Sequence, residues 1–222
     1  MDMQPVRRFK PTKIVVRVLA VSAALILAGN LAILAATAVA RESTPKARIH
    51  DVPGIDHLEA VDAKLWRGGA PSNEGYRALA AAGTTTIVDL RAEDGLEHDV
   101  AFAESLGLKV VTIPIRDGQT PTTEQVDRFL QATQEAPGPV FVHCGAGVGR
   151  TGTMVGAYMV STDQLNGRGA LRRNLAVGPP SLEQVAFVAG LERGSLERPN
   201  MAVRALSRVL DAPRRAWVRL GF

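Results

Sequence analysis

One stretch restricts the architecture more than any other. Residues 139–143 (PVFVH) are short, apolar and β-branched, and they run straight into a glycine-rich turn. Such a run, closed by turn residues, reads as a buried strand. Residues 143–152 read HCGAGVGRTG, with five residues between Cys144 and Arg150, three of them glycines. A helix is expected to begin near Arg150 and to occupy 151–162. Two more β-branched runs, 84–90 (TTTIVDL) and 109–115 (KVVTIPI), read as strands. Helical patterns alternate with them. Residues 72–82 open on a Ser72 cap and close at Gly83, and 96–106 close at Gly107. Residues 122–133 carry the capping box Thr122-x-x-Gln125, and 169–176 and 181–191 follow. Strand–helix alternation predicts an α/β fold, a central and mostly parallel sheet flanked by helices. Ligands of such sheets sit beyond the carboxyl ends of the strands, and His143 stands at one of these ends.

The chemistry of 143–152 can be argued from its residues. The strand delivers Cys144 to the edge of the sheet. Gly145, Ala146, Gly147, Val148 and Gly149 follow, and a turn so poor in side chains lets successive backbone N–H groups converge on an anion. The helix that follows adds the partial positive charge of its N-terminus. The field that binds an anion also favours thiolate over thiol at Cys144. Arg150 offers a planar fork to two phosphate oxygens. Thr151 is placed to hydrogen-bond the sulfur. The reading set against all this is an inert core cysteine. Since Cys144 is the single cysteine, an intrachain disulfide and a multi-cysteine zinc site are excluded.

These ten residues resemble the signature loop of the protein tyrosine phosphatase superfamily, and the HCGAGVGRTG form is similar to that of its tyrosine-specific members. The resemblance extends loosely over 60–195. Residues 65–71 (LWRGGAP) and 87–91 (IVDLR) look like the opening of compact bacterial members. It implies a dual-specificity-like domain with Cys144 as nucleophile, Arg150 and the loop amides as phosphate ligands, and neither metal nor cofactor. Transfer to a thiolate expels an oxyanion that needs a proton. Asp117, in 113–129 (IPIRDGQTPTTEQVDRF), resembles the general acid of the Asp-Gly-x-x-Pro loop, although Asp-Gly also forms ordinary turns. Asp94 is the second choice. Gln184, in 178–187 (GPPSLEQVAF), resembles the glutamine that positions water, but Ser181-x-x-Gln184 is also a capping box. In this family the equivalent of His143 supports the loop.

The reaction expected is hydrolysis of phosphotyrosine, with phosphoserine or phosphothreonine also open, through a phosphocysteine. The alternatives are a phosphatase of a phospholipid or small phosphoester, a non-catalytic phosphate-binding module, and a rhodanese-like sulfurtransferase. Phosphoinositide-type members often carry lysines between the cysteine and the arginine, and here there are none.

Charge is distributed unevenly. Residues 1–48 hold eight Lys/Arg against two Asp/Glu, and 201–222 hold five against one. The segment 49–200 holds thirteen against nineteen, so the predicted domain is acidic between basic flanks. Nucleic acid is therefore not an expected partner. An anionic membrane surface suits the flanks. Residues 18–40 run 23 positions without a charge, enough to cross a bilayer as a helix. Arg7, Arg8, Lys10, Lys13 and Arg17 precede them, so a single-pass signal anchor with an extracytoplasmic domain is expected. Cleavage after Ala40, giving a secreted form, and a cytoplasm-facing domain are the alternatives. The expected organisation is a basic N-terminus (1–17), the membrane segment (18–40), a linker (41–60), the phosphatase domain (61–198) and a basic amphipathic tail (199–222), whose helix either packs on the domain with its arginines in water or lies on a membrane.

Overall fold

The computed structural model describes residues 13–44, 52–93, 95–193 and 195–213. Five strands form one sheet: β1 (Glu59–Ala60), β2 (Leu65–Gly68), β3 (Thr86–Asp89), β4 (Lys109–Thr112) and β5 (Val140–His143), in the order β1-β2-β5-β3-β4. The last four are mutually parallel, and β1 pairs antiparallel with β2. The central strand β5 places His143 level with Gly68 of β2 and Asp89 of β3. Whatever follows His143 therefore emerges between the ends of two neighbours.

The pleat divides the core. Along β5, Val140 and Val142 face one side and Phe141 the other. Along β3, Val88 and Ile87 divide in the same way. One face is covered by α2 (Asn73–Ala81) and α3 (Glu97–Ser105), through Tyr76, Leu79 and Ala103. The other is covered by α4 (Thr123–Glu135), α5 (Gly149–Ser161), α6 (Gly167–Val177) and α7 (Leu182–Gly190), with Phe129, Met154, Ala170 and Phe187 buried there. Strands buried on both faces need continuous apolar runs, which is what VFVH and TIVD supply.

Local signals in the sequence account for the helix starts. Ser72 accepts from the Gly75 amide, and both arms of the Thr122/Gln125 capping box are present. The Ser181/Gln184 box is also complete. Of the strand expected over 109–115, β4 covers Lys109–Thr112, and the Ile113 and Ile115 amides still donate to the Asp89 and Leu90 carbonyls beyond it. Two expectations are corrected. The strands β1 and β2 lie where none was assigned, since Arg67 and Gly68 break the apolar pattern. The second half of the expected linker belongs to the domain, where Ile55 and Leu58 are buried and Glu59–Ala60 forms β1. In the tail, α8 (Met201–Leu210) packs on α7 with Ser207 and Leu210 buried, the packed-helix alternative of the two expected there. Trp217, Val218, Leu220 and Phe222 lie outside the described residues.

The helix α1 (Lys13–Ser43) contains the whole uncharged run and is long and apolar enough to cross a bilayer. One narrow face is docked. Asn30 donates to the Leu210 carbonyl, and Thr37 and Ala40 are buried. Arg41 donates to the Ala176 and Val177 carbonyls at the end of α6. Val21, Leu25, Leu27, Leu31 and Leu34 point outward.

Phe129 is fully buried against Tyr158 at a ring-centroid distance of 6.5 Å. Phe129→Ala should lower unfolding free energy by about 3–5 kcal/mol, read from urea denaturation of the full chain.

Candidate active site

Cys144 follows β5 directly and is almost wholly buried, at 3% exposure. The loop after it is shaped by what its carbonyls bind. Gly145 O accepts from the Ala70 amide at 2.8 Å. Ala146 O lies 2.9 Å from His57 Nδ1, and Gly147 O accepts from Arg67 Nη2 at 2.7 Å. Three successive carbonyls are thus held outward by β2 and the residues flanking it. The amides of Gly145, Ala146, Gly147 and Val148 donate to no acceptor among the described residues. A turn with its carbonyls outside and its amides uncommitted is an anion cradle. Gly147 is needed for it, since its φ is +72° and a Cβ there would lie 2.4 Å from the Gly68 carbonyl carbon. The helix α5 begins at Gly149, slightly earlier than expected, with no side chain capping it. Its first amides are therefore open to a ligand.

Arg150 closes the loop, 4% exposed. Its Nη1 donates to Glu93 Oε2 at 3.0 Å and to Ile115 O at 3.1 Å, and its Nη2 lies 2.9 Å from Glu93 Oε1. Glu93 therefore grips the Nη1/Nη2 edge. The buried Nε has no partner, which leaves the Nε/Nη2 edge for an anion. Burial opposes the charge on Arg150, but Glu93, Cys144 and Asp117 hold its pKa above the ordinary value. Burial likewise raises the Glu93 carboxyl, but the Arg150 hydrogen bonds outweigh this and hold it below its usual range. Asp117 Oδ1 is 3.7 Å from Arg150 Nη2, and its side chain is half exposed. The expected acid and the expected phosphate ligand thus share one site.

His143 is fully buried, stacked on Phe141 and edge-on to Tyr76. Its Nδ1 lies 3.3 Å from Cys144 O and its Nε2 3.8 Å from Asp89 Oδ2. Burial pushes its pKa down, so the ring is neutral near pH 7. That is the environment of a supporting group. Asp89 is held in turn by Arg91, which also pairs with Asp99. Thr151 Oγ1 is buried and makes no hydrogen bond to Cys144 or to any other described group.

The loop bearing Asp117 is clamped from α7. Ser181 Oγ donates to Gly118 O at 2.7 Å, and Gln184 Nε2 donates to Gln119 O at 3.1 Å. Thr120 donates twice to Glu183 Oε1, through its amide and its hydroxyl. Arg198 donates twice to Thr120 O. Gln184 Oε1 accepts from the Ser181 amide and packs on Gly149, so both ends of that side chain are engaged. Asp94 lies outside the described residues.

Sequence reasoning missed Arg67, Glu93, Glu183 and Arg198. Arg67 stands within LWRGGAP and was legible only as part of a resemblance. It is 1% exposed, and burial pushes its pKa down against the pull of Glu59 and Cys144. Among the described residues no group of three or more His, Cys, Asp or Glu is placed to hold a metal.

Comparison with known proteins agrees with this geometry. The family described as DSP-PTPase phosphatase fused to NAD+ kinase matches residues 47–192. The chain belongs to this family. The probable NAD kinase 2, chloroplastic, of Oryza sativa subsp. japonica is 37% identical over 114 residues, covering 48% of this chain and 12% of that protein. The dual specificity protein phosphatase CDC14C of Homo sapiens is 38% identical over 88 residues, 37% of this chain and 17% of its own length. The chain thus spans a small part of these relatives. The active form of Tk-PTP superposes with a TM-score of 0.54 at 25% identity, covering 62% of this chain and 97% of that one. The phosphatase-like domain is a member of the dual-specificity branch of the tyrosine phosphatase superfamily.

Two outcomes follow for the site. The depressed carboxyl of Glu93 contributes stability that is present above its ordinary value of 4.5 and lost as pH falls through its lower folded value. Glu93→Gln should therefore be less stable than wild type at pH 7, with the gap closing below that value in thermal melts. Gly147→Ala should weaken inorganic phosphate binding by about tenfold or more, read by calorimetric titration, because the strained loop loses its cradle.

Proposed function

We propose that this chain is a cysteine-dependent protein phosphatase that hydrolyses phosphotyrosine, with phosphoserine or phosphothreonine as further substrates, through a phosphocysteine. The observation that carries this reading is the meeting of Asp117 with Arg150 beside the cradle that opens at Cys144.

In the first step the Cys144 sulfur attacks phosphorus, the ester P–O bond breaks, and Asp117 gives its proton to the departing oxygen. In the second step Asp117, now a carboxylate, takes a proton from water. The water oxygen bonds to phosphorus, the P–S bond breaks, and inorganic phosphate leaves with the thiolate restored. The free loop amides, the α5 N-terminus and the open edge of Arg150 hold the equatorial oxygens in both steps. His143 fixes the start of the loop and takes no proton. Gln184 supports the acid loop and the signature loop together.

We further propose that α1 anchors the domain to a membrane, with the domain extracytoplasmic by the charge of residues 1–17. The apolar outer faces of α1 support this. The same helix favours the second reading, a phospholipid or small phosphoester as substrate.

The test is turnover of p-nitrophenyl phosphate by the full chain in detergent, without added metal. Cys144→Ser should abolish it. Asp117→Asn should lower kcat by about 10²–10³-fold. A reduced, folded wild type with no turnover overturns the proposal. Preference for a phospholipid over phosphopeptides selects the second reading.

A further inference from the structure

A groove of about 510 Å³ opens beside Glu93, the partner of Arg150. One wall is a single face of α3, where Glu97, Val100, Ala101 and Glu104 recur at helical spacing. The opposite wall is the exit of β4, ending at Pro114. The near end is Glu93, the residue that grips Arg150. The groove therefore begins where the phosphate site stops. The segment from Pro114 leads within three residues to Asp117. A phosphorylated side chain seated on Arg150 would have Asp117 and Glu93 beside it, and Glu93 also closes the near end of the groove.

Charge selects the occupant. The walls are largely apolar, and Leu96, Val100, Ala101 and Pro114 all line them. Glu97 and Glu104 are exposed and form no ion pair among the described residues. Arg91 is the lining cation, and Asp89 and Asp99 take its charge at 2.8 and 3.0 Å. Glu93 is already paired with Arg150. What remains unbalanced in the groove is negative, in keeping with the acidic surplus of 49–200.

We infer that this groove docks the peptide flanking the phosphorylated residue and takes an apolar side chain next to a Lys or Arg. The inference rests on the protein phosphatase reading and names the substrate class within it. An apolar residue fills the walls, and a neighbouring cation reaches Glu97 and Glu104. A polyanionic substrate, such as a headgroup with several phosphates, meets like charge along the same path.

The test compares kcat/KM of the full chain in detergent on two phosphotyrosine peptides of equal length. They share one apolar residue and differ in carrying Arg or Glu beside it. The Arg peptide should be favoured by about tenfold at low salt, and the ratio should shrink at about 0.5 M salt. The double variant Glu97→Lys/Glu104→Lys should erase or invert the preference, with p-nitrophenyl phosphate turnover unchanged. The inference is overturned by a wild type without preference, by a preference that survives charge reversal, or by faster turnover of phosphoinositide vesicles than of either peptide. Absence of p-nitrophenyl phosphate turnover in the wild type removes the reading beneath it, and the groove's role with it.

Discussion

Arg67 donates to the Gly147 carbonyl from the interior of the sheet, and the signature loop takes its shape from that contact. A guanidinium so deeply buried is costly unless it is hydrogen-bonded and balanced. Glu59 stands opposite it across the β1–β2 pair, and Cys144 lies on the loop it braces. Glu59 is itself paired with Arg173 of α6. The charge therefore sits in an alternating series that runs from the loop to the far helices. Parallel pairing of β2 with β5 makes this possible, because it brings Arg67 level with Val142, two residues before Cys144.

The second support comes from the C-terminal half of the chain. Polar groups of α7 hold the loop that bears Asp117. Glu183, 1% exposed, accepts two bonds from Thr120, and its amide donates to Ser207 of α8. Arg204 of α8 lies 3.8 Å from the same carboxylate. The basic tail segment thus completes the wall behind the loop that bears Asp117. Carbonyls at Gly118, Gln119 and Thr120 are all satisfied by side chains, and Thr120 is fully buried, so the loop is fixed from behind. That leaves Asp117 exposed to a substrate while its backbone is held.

Much of the fold was legible because its signals are local. Runs such as VFVH and TIVD identify buried strands, and Ser72, Thr122 and Ser181 mark helix starts by capping chemistry that acts over three residues. The strand β2 was not legible. Its burial pattern includes an arginine and a glycine whose presence makes sense only against β5. Glu93 gave no signal either, since an exposed glutamate in a loop resembles any other until its partner, 57 residues away, is known.

The sequence by itself determined the placing of Cys144 and Arg150 and the strand–loop–helix that joins them, because these stand within ten consecutive residues and follow from short-range geometry. It also determined the uncharged run of α1 and the acidic balance of the domain. Only the tertiary structure decided which edge of Arg150 stays open, what turns the loop carbonyls outward, and what clamps the acid loop. Those outcomes depend on partners supplied by β2, α7 and the residues after β3. Contacts between segments far apart in the chain are set by how the sheet orders its strands, and no local pattern encodes that order.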